Sequence, residues 1–292
     1  MKRRFCFLYY IYILLSLAAC GVGGTCLAQT ASSLFRVADN VQVGEIVSSG
    51  ADMYNEVGHH GPAVENQYMA LRLYFNDSGA IDVYSKSGRG LELMKYGWCP
   101  DSLAVADDGA GYDYYVVDGT LGLGGIALWD GDKVVRLSAT GGRTARAGDT
   151  SNGSFAEMIA YGVPYGDGHV DIMIRIDVSR KVRTARVTAK CLNGKKVSFV
   201  TGVNYHDGEA VEFSDGYIYT WGVHPVDTAF EPVPVGAGLF FSKGVFSAPE
   251  KTGDMVMIIS KPCTQISTRI VAGSTREAEL NSRKRFSSFM TK

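Results

Sequence analysis

An antiparallel β-sandwich closed by a short C-terminal helix is the fold class this sequence predicts, and three observations predict it. Strictly alternating apolar residues recur in short runs, X-Gly pairs punctuate those runs at short intervals, and helical periodicity is confined to the last few dozen residues. So many hairpin signals with so few helical ones are best closed as two packed antiparallel sheets.

The first segment precedes the fold. Lys2, Arg3 and Arg4 lead an uncharged run, "FCFLYYIYILLSLAACGVGGTCLA", with the layout of a secretory signal. Two processing sites compete. "LAAC" ending at Cys20 fits a lipobox, giving a lipoprotein signal over 1–19; "CLA" before Gln29 fits an ordinary cleavage site, giving a signal peptide over 1–28. A retained span is less compatible with the Gly-rich tail of the run. Residues 29–292 are expected to form a single β-sandwich domain in an exported protein, periplasmic or associated with the cell envelope. The only membrane contact expected is a lipid anchor on Cys20.

Losing the three leader cations takes the formal net charge from -1 to -4. That charge disfavours nucleic acid and anionic membrane surfaces as partners. Cys99, Cys191 and Cys263 survive either cleavage, and an odd thiol count is not a disulfide framework. One bridge among them stays open, beside the reading that they are small buried hydrophobes.

The strands follow in order. "QYMALRLYF" places Met69, Leu71, Leu73 and Phe75 on one face, and Tyr68, Ala70, Arg72 and Tyr74 on the other. Between this strand and the next, "TGGRTARAGDTSNGSFAE" is rich in Gly, Ser and Thr, and is expected to be a long surface loop. In "VDIMIRIDV" Val170, Ile172, Ile174, Ile176 and Val178 alternate with polar residues and Met173. Further strands are expected at "RTARVTAKC", "KVSFVTGVNY", "GYIYTWGV", "AGLFFSK" and "DMVMIIS". Asp130-Gly131, Asp167-Gly168, Asn193-Gly194, Asp207-Gly208 and Asp215-Gly216 are expected at hairpin tips. Ser274 and Glu277 form a capping-box pattern, with Phe286, Phe289 and Met290 on one side of the helix it would open.

Chemistry concentrates in "NEVGHHGPAVENQYMALRLYFN". Gly58 and Gly61-Pro62 bracket His59 and His60 and keep helix away, so both imidazoles lie on a loop leading into the strand of Arg72 and Tyr74. A histidine there can exchange protons near neutrality. Adjacent histidines rarely reach one ion and no metal-ligand spacing is present, so no metal and no cofactor is expected. His206 shares a strand face with Asn204 just before a turn. Tyr217, Tyr219 and Trp221 stand on one face, either as core or as a platform for a sugar ring's apolar C–H face. In "GAGYDYYVVDGTLGLGGIALWDGDKVV", glycines 119, 122, 124 and 125 let backbones approach closely. Tyr112, Tyr114 and Trp129 of the same block are candidate ligand contacts. Phosphate-loop, dinucleotide and G-x-S-x-G patterns are absent.

"EVGHHGPAVENQYMALRLYF", "GYDYYVVDGTLGLGGIALWDG" and "ISKPCTQISTRIVAGSTREAELNSRKRFSSFM" together resemble domain-of-unknown-function family 4861. The likeness covers most of the mature chain. It implies a secreted bacterial protein accompanying polysaccharide-degradation systems, on a sandwich related to galactose-mutarotase-like supersandwiches, with no settled reaction.

The function expected is therefore a carbohydrate-active protein acting on a uronic-acid-containing polysaccharide or oligosaccharide by lyase-like β-elimination. His59 or His60 would be the base and Tyr74 or Tyr112 the acid, with Arg72 and Asn66 neutralising the carboxylate. Glu65, Tyr114, Trp129, His206 and Trp221 complete the expected substrate contacts. A glycosidase using Glu65 with Asp113, an epimerase pairing a histidine with Glu231, a non-catalytic glycan-binding protein and a structural envelope component remain alternatives.

Overall fold

The computed structural model describes residues 29–49, 52–96, 105, 109–226 and 231–292. The leader, both of its cleavage sites, Cys20 and Cys99 lie outside the described residues. Cys191 and Cys263 are free thiols. No helix among the described residues is long and apolar enough to cross a membrane.

The described chain is nearly all β, and its strands pair antiparallel. A nine-stranded sheet forms one layer. Its order is β13 (Ala210–Ser214), β14 (Tyr217–Gly222), β15 (Val235–Phe240), β18 (Gln265–Ser274), β11 (Ala185–Cys191), β10 (Gly168–Ser179), β9 (Gly153–Tyr165), β8 (Arg143–Thr150) and β2 (Glu45–Ser48). Two smaller sheets share the opposing layer. One runs β1 (Thr30–Ser33), β3 (Ala63–Asn66), β4 (Ala70–Leu73), β5 (Ile81–Tyr84); the other runs β16 (Glu250–Lys251), β17 (Met255–Ile259), β12 (Ser198–Asn204), β6 (Ala127–Trp129), β7 (Val134–Val135). One apolar core joins all three, with Leu71, Leu73, Ile81 and Val83 from the first small sheet and Phe199, Val203, Val256 and Ile258 from the second. Facing them are Met158, Ile172, Ile174, Ile176, Leu239 and Ile270 of the large sheet.

The glycine-rich block stitches the two small sheets together. Leu123 N donates to Ile81 O on one side, and Gly124 N donates to Gly202 O on the other. Gly122 has φ +64, and a Cβ there would lie 2.2 Å from Ile81 O, so the close backbone approach expected of this block is real.

Helix α1 (Arg283–Met290) covers the outer face of β14 and β15, where Phe286 meets Tyr219 and Trp221 at ring distances of 5.9 and 5.6 Å. Gly236 makes the room, since a Cβ there would lie 2.9 Å from the Phe286 ring.

Three expectations are corrected. The stretch from Thr140 to Glu157 is not a loop, because β8 and β9 pair from Arg143↔Ala160 to Thr150↔Gly153 around a tight turn. Ser274 ends β18 instead of capping a helix; Ser282 is the cap, its hydroxyl accepting from Arg285 N at 3.4 Å. Asn193-Gly194 and Asp207-Gly208 do connect strands, but they carry the chain between layers, since β12 belongs to a different sheet from β11 and β13.

Candidate functional site

The candidate site lies on the outer face of β4 and β5. Alternation sends Leu71, Leu73, Ile81 and Val83 into the core, and therefore turns Arg72 and Asp82 outward. The register places these two directly opposite, and Arg72 Nη2 lies 2.5 Å from Asp82 Oδ2. Asp113 Oδ2 reaches the same nitrogen at 2.6 Å. Tyr74, just past β4, donates its hydroxyl to Asp82 Oδ2 at 2.7 Å. The Tyr54 ring meets Tyr74 edge-on, with centroids 4.9 Å apart.

His60 stacks on Tyr54 with ring centroids 3.8 Å apart. It sits in a 3₁₀ turn, Gly58–His60, in which His59 and His60 take φ of 57° and 60°. Two successive non-glycine residues in the left-handed region cost on the order of 1–3 kcal/mol each, so the surrounding structure must hold them. It does so through Phe75 N donating to His60 O at 2.8 Å and Gly58 N donating to Phe35 O at 2.9 Å. His60 Nδ1 donates to Tyr54 O at 2.9 Å, which makes Nε2 the basic nitrogen of the neutral ring.

The opposite wall is the irregular segment 112–118, anchored at both ends. Ser85 and Tyr112 exchange backbone hydrogen bonds at the β5 edge. At the other end Val116 O accepts from Asn204 Nδ2 at 2.7 Å and from His206 Nε2 at 3.1 Å. Tyr115 donates its hydroxyl to Asn204 Oδ1. Between these walls is a cleft of about 400 Å³ lined by Tyr54, His60, Tyr74, Asp82, Tyr112, Asp113 and residues 115–118.

The electrostatics suit proton transfer. Burial, against the opposing pull of Arg72, raises Asp82 to about 6. Burial, followed by the Asp82 charge, raises the Tyr74 hydroxyl far above its ordinary value, so it stays protonated at every working pH. Burial lowers His60, with the Arg72 charge adding to the shift, so its ring is neutral near pH 7. Arg72 itself stays charged between its two carboxylates.

Behind Val116 lies a second cluster. His206, Glu209 and His224 place ligand-capable atoms within 4.8 Å of one another. Glu209 Oε1 and His224 Nε2 are 3.2 Å apart and both side chains are sealed from solvent. This contact is not an ion pair near neutrality: burial raises Glu209 to about 7 and lowers His224 to about 3. The His224 ring packs on Tyr115 at 4.5 Å, joining the cluster to the cleft wall.

The structure thus brings His60, Tyr74 and Tyr112 together around the cleft, with Arg72 beneath and His206 behind one wall. Other expected site residues lie elsewhere. His59 turns into the core edge-on to Phe35, and burial lowers it to about 3. Glu65 is fully buried, held by Lys86 Nζ at 2.7 Å and by the backbone N–H groups of Glu92 and Leu93. It is not drawn together with Asp113. Asn66 spends its amide on Ser179 O and Val182 O, and its oxygen on Tyr68 N and Met69 N. Tyr114 is buried beside Tyr112, with its hydroxyl accepting from Arg276. Trp129 ends β6, Trp221 lies under α1, and Glu231 is exposed on the connection before β15.

Sequence reasoning missed Tyr54, Asp82, Tyr115, Glu209 and His224. One signal was present for Asp82: a lone carboxylate inside the apolar strand "IDVY" demands a cationic partner.

The model of the family described as a domain of unknown function (DUF4861) matches residues 22–292, so the chain belongs to that family. No curated protein matches the sequence. Among solved structures it is similar to a 4-alpha-glucanotransferase from Thermococcus litoralis, at 10% identity and TM-score 0.35, over 81% of this chain and 42% of that one. It is also similar to a putative aldose 1-epimerase from Klebsiella pneumoniae, at 6% identity and TM-score 0.38, over 89% of this chain and 90% of that one. A polysaccharide lyase aligns at 13% identity and TM-score 0.30, over 77% of this chain and 34% of that one.

Proposed function

We propose that this member of the DUF4861 family is an exported carbohydrate-active enzyme that transfers protons within the Tyr54–His60–Tyr74 cleft, by β-elimination on a uronic-acid saccharide. The Tyr74–Asp82 hydrogen bond and the stacked Tyr54–His60 pair, lining one cleft, carry this reading. His60 Nε2 is the base for the proton next to the sugar carboxylate. Tyr74, which lines the cleft itself, turns its hydroxyl from Asp82 and gives its proton to the leaving oxygen. The half-buried rings of Tyr54 and Tyr112 offer apolar faces to the C–H side of a pyranose, and Asp113 accepts hydroxyls at the rim.

Asn66 and Arg72 do not act as the carboxylate neutralisers in this scheme. The first is consumed by backbone, and the second is already shared by two carboxylates. The test pairs equilibrium binding of a uronic-acid oligosaccharide with its turnover. Tyr74→Phe is expected to spare binding and lower turnover by ~10²–10⁴-fold; Tyr112→Ala is expected to weaken binding. Binding with no turnover by the unaltered protein would leave a glycan-binding module in place of an enzyme.

A further inference from the structure

We infer that His206, Glu209 and His224 form a binding site for a first-row divalent cation of the zinc class, set against the cleft wall at Tyr115 and Val116. The donor set is two imidazoles and one carboxylate, which suits zinc-class ions and is too poor in oxygen for calcium or magnesium. Two ligands on one tetrahedral ion at ~2.0–2.1 Å stand ~3.3 Å apart. Glu209 Oε1 and His224 Nε2 already stand at 3.2 Å, and the three ligand-capable groups converge within 4.8 Å.

A second observation points to a missing ligand. Glu209 Oε2 and His224 Nε2 are both buried without an aligned hydrogen-bond partner, although each belongs to a side chain with 0% exposure. Buried polar atoms in native folds are ordinarily satisfied, and a shared ion satisfies both at once.

The supporting groups fit the usual arrangement of a metal-bound histidine, whose second nitrogen is fixed by a carbonyl. His206 gives its Nε2 proton to Val116 O at 3.1 Å, leaving Nδ1 as its lone-pair nitrogen. His224 Nδ1 accepts from Val116 N at 2.9 Å and also lies 3.3 Å from Val116 O. Metal capture at Nε2 would move the His224 proton to Nδ1, so that Val116 O replaces Val116 N as the partner of that nitrogen. Asn204 holds the same peptide in place at 2.7 Å. The three ligands come from the β12–β13 turn and the end of β14, too far apart in sequence to show as a spacing. The expectation of no metal rested on the His59–His60 pair alone.

The ion's part in the reaction rests on the proposed function. With three protein ligands, a zinc-class ion keeps a position for a water or substrate oxygen. Set behind Val116 and outside the cleft lining, the ion would act on the reaction by fixing the wall that carries Tyr115 and Val116.

The test uses the purified full-length mature chain, stripped with EDTA and titrated with Zn²⁺ by calorimetry and with Co²⁺ by visible absorption. One equivalent is expected to bind, with affinity falling more than ~100-fold in Glu209→Gln and in His224→Ala. His206→Gln, at a half-buried position, provides a variant whose folding is less at risk, and its loss of the Co²⁺ bands is expected too. Absence of stoichiometric binding, or binding unchanged in all three folded variants, would overturn the site. Stoichiometric binding without turnover of any saccharide sinks the enzyme reading and leaves the site standing. Turnover that survives complete chelation removes the ion from the reaction and leaves the site to be decided by the binding titrations.

Discussion

Arg72 and Asp82 face each other across the β4–β5 ladder, and one guanidinium nitrogen of Arg72 serves both Asp82 and Asp113, at 2.5 and 2.6 Å. The arginine is nearly fully buried, so its charge cannot be given up without leaving two carboxylates beside an apolar core. Its role is to hold the acids in place while Tyr74 leans on one of them.

Arg72→Met is accordingly expected to destabilise the fold by ~3–5 kcal/mol, the cost of breaking a buried charge pair on one side only. Urea unfolding measures it. A loss below ~1 kcal/mol would mean the carboxylates are solvated and the cleft floor is not dry.

The buried histidine of the pair, like His224, couples stability to acid. His59 titrates near 3 when folded and near 6.5 when free, so the unfolded chain binds the extra proton first. The stability tied to its neutral form is present above pH 6.5 and is lost as pH falls toward 3, by at most ~1.4 kcal/mol per pH unit. Asp82 works in the opposite sense, since its folded value is raised to about 6. What it contributes is complete below its unfolded value of 3.8 and is lost as pH rises through 6. His59→Asn, which tolerates the left-handed backbone, is expected to flatten the acid-side decline in unfolding free energy; an unchanged slope would remove His59 from the account.

Gly122→Ala tests the stitch between the two small sheets. The substitution puts a methyl 2.2 Å from Ile81 O at a left-handed φ. A loss of several kcal/mol is expected, on the order of ~3, from the clash and the backbone strain together. The surface position Gly166→Ala has a similar φ of +58 and meets nothing within 4 Å, so it controls for the φ effect alone; equal losses at both would discount the clash.

Trp129→Ala is expected to leave saccharide affinity within ~2-fold of the unaltered protein, because the ring packs against the Leu121, Ala127, Val200 and Met255 cluster and lies off the cleft. Isothermal titration with the oligosaccharide that binds the parent protein checks this, and a tenfold loss would extend the site across β6.

Much of the fold was legible in the sequence because most strands alternate large apolar residues. Strands β10, β11, β12, β14, β15 and β17 are found in this way, and Asp130-Gly131 and Asp215-Gly216 mark real hairpins. The β8–β9 hairpin was hidden because its inward face is built largely of alanines, Ala145, Ala147, Ala156 and Ala160, whose alternation with Thr, Arg and Gly carries little hydrophobic contrast. The site was half legible for a related reason. His60 and Tyr74 are close in sequence, whereas Asp82 meets Arg72 only through strand register, and His224 meets Glu209 only through the β13–β14 hairpin. The histidine pair also splits: one ring enters the core and its neighbour enters the cleft, a division set by two left-handed residues that spacing does not reveal.

The measurement that tests the central claim most directly is absorbance at about 235 nm, where an unsaturated uronate absorbs, while the purified protein is incubated with a panel of uronic-acid polysaccharides and their oligosaccharides. A steady rise with the unaltered protein, abolished in His60→Asn and in Tyr74→Phe, is the predicted result. No rise on any member of the panel by folded protein that binds the saccharide, or a rise that both variants retain, would contradict it.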